Sequence, residues 1–267
     1  MVGIDGSAGS RRAFRVGVEL ANLCDGVLYG VAVLPERGQL GAPFDGPVAT
    51  DTQAADIATR DAGRGFEEAL EQCAEICAAA QVKFVREVLV GDPVRMLTRE
   101  AEGADLLVIG AQGQRNDPSV LLGNTAARVL RHSVKPVLIA RGDQEPIQRV
   151  LVGYDGTPDS GHAVEWAADF AAAGGWQVRM VTGAPTESAL ATGARRAARI
   201  MQARGLEPEV KIVEGDAPTI IFTEANDFGA DLIVIGAAPK GPVTGFFIGE
   251  AWPDVAEQAK VSVLCWR

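Results

Sequence analysis

The sequence has few cysteines, no long apolar run and fewer basic than acidic residues, and each deficit excludes a class of protein. Four Cys in 267 residues are too few for a disulfide scaffold. No segment approaches the roughly 20 apolar residues of a membrane span, and Met1 leads into Val-Gly-Ile-Asp rather than a basic signal-peptide start. The 25 Lys and Arg against 35 Asp and Glu give a net charge of −10, which argues against general nucleic-acid binding. We therefore expect a soluble, cytoplasmic protein that binds neither nucleic acid nor membrane.

The composition that remains, 47% apolar and 22% charged, is typical of a globular protein of one large or two small domains. An internal repeat favours two domains. Val-Gly-Ile-Asp-Gly at 2–6 returns as Val-Gly-Tyr-Asp-Gly at 152–156, and Ala-Asp-Leu-Leu-Val-Ile-Gly at 104–110 returns with one change at 230–236. The sequence predicts two similar domains in tandem, 1–142 and 149–267.

A further landmark, Val137-Leu138, returns as Val263-Leu264, and in each copy an arginine follows three residues later (Arg141 and Arg267). The offset between the copies falls from 150 at the first landmark to 126 at this one, so the first copy is about 24–26 residues longer. The extra length lies in 35–60, which indicates a surface loop feeding a longer helix. Gly142–Pro146 is the predicted polar linker.

Both copies alternate apolar strands with helical periodicity, which is typical of a parallel sheet with helices on both faces. The predicted strands are 2–4, 27–34, 84–90, 105–109 and 136–140 in the first copy, and 149–154, 176–181, 208–213, 231–235 and 261–266 in the second. The predicted helices are 11–23, 53–80, 93–102 and 123–131, then 160–173, 187–203, 217–227 and 249–259. The fold class is therefore α/β, with two doubly wound parallel five-stranded sheets.

In such sheets a ligand binds at the carboxyl ends of the strands. Asp5-Gly6-Ser7 follows the first strand, and Gly110-Ala111-Gln112-Gly113 follows the fourth. Nine residues later, Gly123-Asn124-Thr125 opens a helix. Glycines allow backbone N–H groups to approach an anion, and a helix N-terminus adds free donors, so this spacing is compatible with a phosphate cradle. On spacing alone, a tight loop followed by an ordinary helix cap remains open.

With these motifs in their order, the whole chain resembles the universal stress protein family in its tandem form. The resemblance rests on Val-Gly-Ile-Asp-Gly-Ser at 2–7, Gly91-Asp92-Pro93, Asp105–Gly110, the Gly-x2-Gly-x9-Gly spacing and Arg131–Leu138. It implies a sheet ordered 3-2-1-4-5 and, in the nucleotide-binding branch of the family, ATP held between the first and fourth strands. It also implies that the closing strands of the two copies pair antiparallel, as an intramolecular pseudo-dimer. A further homodimer is left open.

Carried over residue by residue, the resemblance implies a nucleotide site in the first copy. Asp5 and Val33 would contact the adenosine end of the nucleotide. The ribose and the first phosphates would lie against Ile109, Gly110, Gln112 and Gly113. The remaining phosphates would be bound by Gly123, Asn124 and Thr125. The family usually has Ser or Thr where this chain has Asn124, but an amide N–H₂ also donates to phosphate.

The resemblance implies an ATP-binding sensor or regulator of the stress response. Whether Mg²⁺ accompanies the phosphates is left open. No residues form a set of nucleophile, base and oxyanion donors, so we do not expect an enzyme of appreciable turnover. Two alternatives remain open: a scaffold without ligand, and a slow ATP hydrolase. The residues identify neither the stress signal nor a regulated partner protein.

The second copy departs from the pattern at the phosphate end. It keeps Asp155 but has Pro239 where the second glycine belongs, and Glu250 follows Gly249 where phosphate would lie. Proline removes a donor, and a carboxylate repels phosphate. The sequence therefore predicts one functional site, in the N-terminal domain, and a structural role for the second copy.

The sequence pattern favours structural roles for the cysteines and histidines, the other residue types that could bind a metal or catalyse a reaction. Cys73 and Cys77 lie on one face of a predicted helix without further metal ligands nearby, which indicates core packing. His132 and His162 lie at different positions of the two copies and in no catalytic or metal-binding pattern. We predict no catalytic residue and no protein-bound metal. The first strand has only Met1 to Ile4 available, which leaves the true start of the chain open.

Overall fold

A computed structural model describes residues 1–35, 52–114, 121–142, 146–237 and 248–267, without the side chains of 52–62 and 248–251. The chain divides into two compact units. The first comprises Met1–Asp117 and Gly123–Val134, and the second comprises Pro118–Leu122 and Lys135–Arg267. Most of the predicted surface loop at 35–60, and 143–145 of the predicted linker, lie outside the described residues.

The first unit is a parallel sheet with the strand order β3-β2-β1-β4. Its elements are β1 (Val2–Ile4), α1 (Ala8–Leu23), β2 (Val27–Leu34), α2 (Thr52–Ala79), β3 (Lys83–Val90), α3 (Pro93–Ala101), β4 (Leu107–Gly110) and α4 (Asn124–His132). Val2 in β1 pairs with Gly30 in β2 on one side and Val108 in β4 on the other. The carboxyl ends of β1 and β4 are therefore neighbours.

The helices of the first unit are held by the apolar pattern that predicted them. In α1 the buried positions Ala13, Phe14, Val16, Gly17 and Leu20 recur at helical spacing. The Phe14 ring packs edge-on against Phe84 of β3, with the ring centroids 5.7 Å apart. A Cβ at Gly17 would lie 2.7 Å from Cγ2 of Val2, so glycine lets α1 approach β1 closely.

The second unit contains β5 (Val137–Ala140), β6 (Arg149–Gly153), α5 (Pro158–Gly174), β7 (Gln177–Gly183), α6 (Ala189–Gln202), β8 (Glu209–Val213), α7 (Ala217–Phe228), β9 (Leu232–Gly236), α8 (Ile248–Gln258) and β10 (Ser262–Trp266). Its strand order is β5-β10-β9-β6-β7-β8. All neighbours are parallel except β5 and β10, which pair antiparallel with Val263 opposite Ile139. The last strand of the first copy thus belongs to the sheet of the second unit.

This architecture confirms the predicted α/β fold class. The second copy has the order 3-2-1-4-5 (β8-β7-β6-β9-β10), and the first unit has the same order over the strands that it contains. The predicted packing of the two copies through their last strands is also confirmed, by the β5–β10 pair. The domain boundaries at 142 and 149 stay predictions. Among the described residues, no helix has both the length and the apolar character needed to cross a membrane.

Arg141, one of the two arginines that follow the last strand of each copy, lies beside the β5–β10 pair. Its side chain is buried and donates to the carbonyl oxygens of Ala259 at 2.9 Å, Leu121 at 3.2 Å and Glu257 at 3.4 Å. Its backbone N–H donates to Oγ of Ser262 in β10. Burial lowers the pKa of Arg141 to about 10. The residue therefore ties the end of β5 to Leu121, to the last turn of α8 and to the segment that follows α8.

Candidate functional site

The loop after β1 holds the carboxylate of Asp5 in a defined orientation. Oδ1 of Asp5 accepts from the backbone N–H of Ser7 at 2.9 Å, and Oγ of Ser7 in turn accepts from Ser10 N at 3.1 Å, which caps α1. Gly6 between them has φ of 76°, a conformation that favours glycine. One carboxylate oxygen is thus used locally, at the start of the helix.

The other oxygen of Asp5 faces the loop after β4. A Cβ at Gly113 would lie 2.7 Å from Oδ2 of Asp5. The carbonyl oxygen of Asp5 accepts from Nε2 of Gln114 at 2.5 Å. Because Gly113 has no side chain, its backbone and the carboxylate share one small space at the edge of the sheet.

The first turn of α1 packs directly on the same loop. A Cβ at Gly9 would lie 2.0 Å from the carbonyl oxygen of Gln112, and a Cβ at Gly110 would lie 2.4 Å from the carbonyl carbon of Gly9. Ordinary Cβ contacts are about 3.4–4 Å, so both positions require glycine. This backbone-to-backbone contact fixes the loop of Gly110–Gly113 against α1.

The N-terminus of α4 returns to this loop. The backbone N–H of Gly123, the N-cap, donates to the carbonyl oxygen of Ala111 at 2.7 Å. Gly123 supplies no side-chain cap, whereas α1, α3, α5, α6 and α7 are each capped by a side chain, from Ser7, Asp92, Thr157, Ser188 and Asp216 respectively. Asn124 and Thr125, the first two residues of α4, are exposed. The first turn of α4 therefore presents backbone N–H groups that no N-cap side chain satisfies.

The two remaining predicted residues lie beneath these loops. Val33 is buried on β2, one residue beyond Ala32, which pairs with Ile4 of β1. Ile109 is also buried, and its Cγ2 would lie 3.1 Å from a Cβ at Gly3 in β1. The side chain of Ile109 thus packs in the core, and only its backbone reaches the edge.

Comparison with known proteins adds to this geometry. The sequence profile described as "Universal stress protein family" matches residues 1–141 and again 146–267. The chain belongs to the universal stress protein family. A universal stress protein of Mycolicibacterium smegmatis is 26% identical, over all of this chain and 96% of its own length. One of Mycobacterium tuberculosis is 28% identical, over 63% of this chain and 57% of its own length.

The fold is also similar to solved structures. The crystal structure of a universal stress protein from Archaeoglobus fulgidus superposes with a TM-score of 0.74 and 21% sequence identity, covering all of this chain and 95% of that one. At this identity the likeness supports the fold alone. The tandem arrangement of two universal stress protein domains is therefore established, and the ligand is a separate question.

The second domain of this universal stress protein repeats the start of the site. Oδ1 of Asp155 accepts from the backbone N–H of Thr157 at 3.0 Å and from its Oγ1 at 2.6 Å. A Cβ at Gly236 would lie 2.5 Å from Ser160 N in α5, which repeats the close contact of the first domain. Asp155 is buried, however, whereas Asp5 is half-buried. Pro239 and the side chain of Glu250 lie outside the described part of the chain.

Sequence reasoning missed one residue of the first-domain site, Gly9. Its role depends on contact with Gln112, more than a hundred residues away, and a single glycine near a helix start carries no such signal. Cys73 lines a cavity beside the loop after β1, together with Ile4, Gly6 and Ser10. Cys73 and Cys77 are buried in α2, and burial raises the pKa of Cys73 to about 12. His162 packs near the ring of Trp266, with the centroids 6.3 Å apart.

Proposed function

We propose that the first domain binds an adenine nucleotide, ATP, at the edge of the sheet formed by the loops after β1 and β4 and the start of α4. The observation that carries the proposal is the uncapped N-terminus of α4, bonded back to the glycine loop through Gly123 and Ala111. The chain would act as a nucleotide-dependent regulator in the stress response, as family membership suggests.

The phosphates would occupy the space in front of α4. The first turn of a helix carries several free N–H donors and the positive end of the helix dipole. Gly123 brings these donors next to Ala111 and Gln112, so phosphate oxygens could accept from both segments. The exposed Asn124 amide and Thr125 hydroxyl add two side-chain donors at the same end.

The adenosine would lie toward β1 and β2. The Oδ2 atom of Asp5 is directed to this edge, where it could accept from a ribose hydroxyl or an adenine amino group. Val33 on β2, one residue beyond the pair of Ala32 with Ile4, would contribute an apolar contact from the buried floor of the site. The loop after β4 is held against α1 at Gly110 and beside Oδ2 of Asp5 at Gly113, and its backbone would contact the ribose.

A metal would have to arrive with the nucleotide. The described residues contain no group of three or more His, Cys, Asp or Glu side chains arranged to hold a metal ion. Mg²⁺ is commonly held by the phosphates with only one or two protein carboxylates. No nucleophile and base are placed together in the described site, so we propose binding rather than turnover as the function.

Calorimetric titration of the full chain with ATP tests the proposal. We expect one ATP per chain, because the second domain has Pro239 and Glu250 in place of the donors that phosphate needs. Two equivalent sites would contradict the asymmetry between the domains. The absence of any binding would favour the ligand-free scaffold, and ADP formation on incubation would favour the slow hydrolase.

The substitution Asn124→Asp tests whether α4 faces the phosphates. The added carboxylate should weaken ATP binding about tenfold or more through like-charge repulsion and leave adenosine binding nearly unchanged. The helix itself should not suffer, since an acidic residue in the first turn stabilises a helix by about 0.3–1 kcal/mol. Calorimetric titrations give the affinities for ATP and for adenosine, and a thermal melt gives the stability of the variant.

The matched control is Asn124→Ser, which restores a hydroxyl donor and should bind ATP as well as the native chain or better. Equal losses of ATP and adenosine affinity in Asn124→Asp would mean that the position does not face the phosphates.

A further inference from the structure

The outer edge of β3 lacks a strand partner within the described part of the chain. All eight residues of β3 pair on one side with β2, from Lys83 opposite Val27 to Val90 opposite Leu34. Every second N–H and C=O of β3 therefore points away from the sheet. Such an edge pairs with another strand unless charges, bulges or covering segments protect it.

The edge is also unusually apolar. Among the described residues, seven large apolar side chains are exposed by more than a third, and four of them lie here. Val85, Val88 and Val90 on β3 are 53%, 37% and 65% exposed, and the neighbouring Val27 of β2 is 57% exposed. Scattered exposed valines are ordinary, but a group along one edge strand is typical of an interaction surface.

The equivalent edge of the second unit, β8, exposes no large apolar side chain by more than a third. In β8, Glu209 pairs with Lys211 at 2.8 Å and with Arg179 of β7 at 2.8 Å. The remaining apolar residues of β8 are half-buried. Charged residues make up three of the eight residues of β3 and two of the five residues of β8, so charge does not distinguish the two edges. The edges differ in exposed apolar surface, which β3 presents at Val85, Val88 and Val90 and β8 does not.

We propose that β3 pairs antiparallel with β3 of a second copy of this chain, about a two-fold axis that passes through Val85. An axis perpendicular to the sheet keeps the two side-chain faces matched, so each residue lies opposite the one equally far from the axis on the other strand. The paired stretch then covers residues 83–87 of each strand, with Val85 opposite Val85 of the second copy, and Val88 and Val90 lie beyond its end. Lys83 lies opposite Glu87 of the second copy, and the symmetry makes this ion pair twice.

The charges along β3 select this register. An axis at Arg86 or at Glu87 would place two identical charges directly opposite each other, which destabilises a strand pair. An axis at Phe84 or at Val88 would leave Lys83 without an acidic residue opposite. Only the axis at Val85 matches opposite charges across the seam.

Contacts within the chain leave the proposed pair available. Arg86 forms an ion pair with Glu71 of α2 at 2.5 Å, so its charge is balanced in its own copy. Glu87 accepts from the hydroxyl of Tyr29 on β2 and remains exposed. Lys83 is exposed at the start of the strand. The seam would thus add two ion pairs to the backbone ladder without breaking an existing one.

Sedimentation velocity of the full chain over a wide range of concentrations tests the proposal. We expect a monomer–dimer equilibrium for the native chain. Val85→Lys should weaken dimerisation at least about tenfold, because two lysines would meet at the axis. Val85 is half exposed, so the fold should tolerate lysine there. The control is Val134→Lys, which alters a 66% exposed valine away from β3 and should leave the dimer intact.

Charge reversal tests the register itself. Lys83→Glu and Glu87→Lys should each weaken the dimer about tenfold, since each change acts twice across the axis. The double variant should return to within about threefold of the native dissociation constant, because the pairs are restored in reverse. A native chain that stays monomeric overturns the proposal, including the case in which β3 instead binds an extended segment of another protein. A dimer insensitive to Val85→Lys, or single reversals without rescue, also overturns it.

Discussion

Val263→Lys is expected to unfold the second unit or to lower its stability by about 3–5 kcal/mol, the range for an uncompensated buried charge. Val263 is fully buried in β10 and lies between Ile139 of β5 and Ile233 of β9. A lysine there must either bury its ammonium group or force the strands apart. For a unit of this size, the loss corresponds to a fall of about 10 °C in the melting temperature.

Separation of β10 from β5 in the Val263→Lys variant would have a second effect. If β10 separates from β5, two apolar edges are exposed, and the variant should aggregate. Thermal melts and size-exclusion chromatography measure both effects. Val134→Lys is the matched control, because that valine is 66% exposed and lies outside the strands. An unchanged midpoint with a monodisperse protein would contradict the β5–β10 pairing.

Most of the fold was predictable because buried parallel strands leave a strong trace in sequence. The eight-residue apolar run at 27–34 is β2 without change at either end. The internal repeat made the remaining elements predictable, because each motif in one copy supports the same helix or strand in the other. Helix starts were less certain, and α1 begins at Ala8 instead of residue 11 because Ser7 caps it. Caps are set by single hydrogen bonds, which periodicity does not record.

The parts that could not be predicted depend on contacts between distant segments. Arg141 recurs at the same spacing in both copies, yet its bonds to Leu121, Glu257 and Ala259 follow only from the fold. The same is true of the missing side-chain cap on α4. Asn124 looks like a capping residue in sequence, but the structure places it inside the helix and gives the cap position to Gly123. That one-residue difference leaves the first turn of α4 without a side-chain cap.

Gly9→Ala is expected to damage both the fold and the ligand site, although alanine is the better helix former by about 1 kcal/mol. The new Cβ would lie 2.0 Å from the carbonyl oxygen of Gln112, a backbone atom that cannot rotate away. Either α1 or the loop after β4 must move, at a cost of about 1–3 kcal/mol for overpacking. Movement of the loop would shift Gln112 and Gly113 away from Asp5. We therefore expect weaker binding of both ATP and adenosine, about tenfold each.

The glycine at 65 provides the contrast that makes this result interpretable. Gly65 lies in α2, and a Cβ there would meet no atom within 4 Å. Gly65→Ala should raise the stability by about 0.5–1 kcal/mol through helix propensity alone and leave both affinities unchanged. Urea melts give the two stabilities, and calorimetry gives the affinities. If Gly9→Ala behaved like Gly65→Ala, the contact between α1 and the glycine loop would not determine the shape of the site. If Gly9→Ala weakened the binding of ATP but not of adenosine, the effect would instead lie at the phosphates. In that case α1 would support the start of α4 and not the loop beside Asp5.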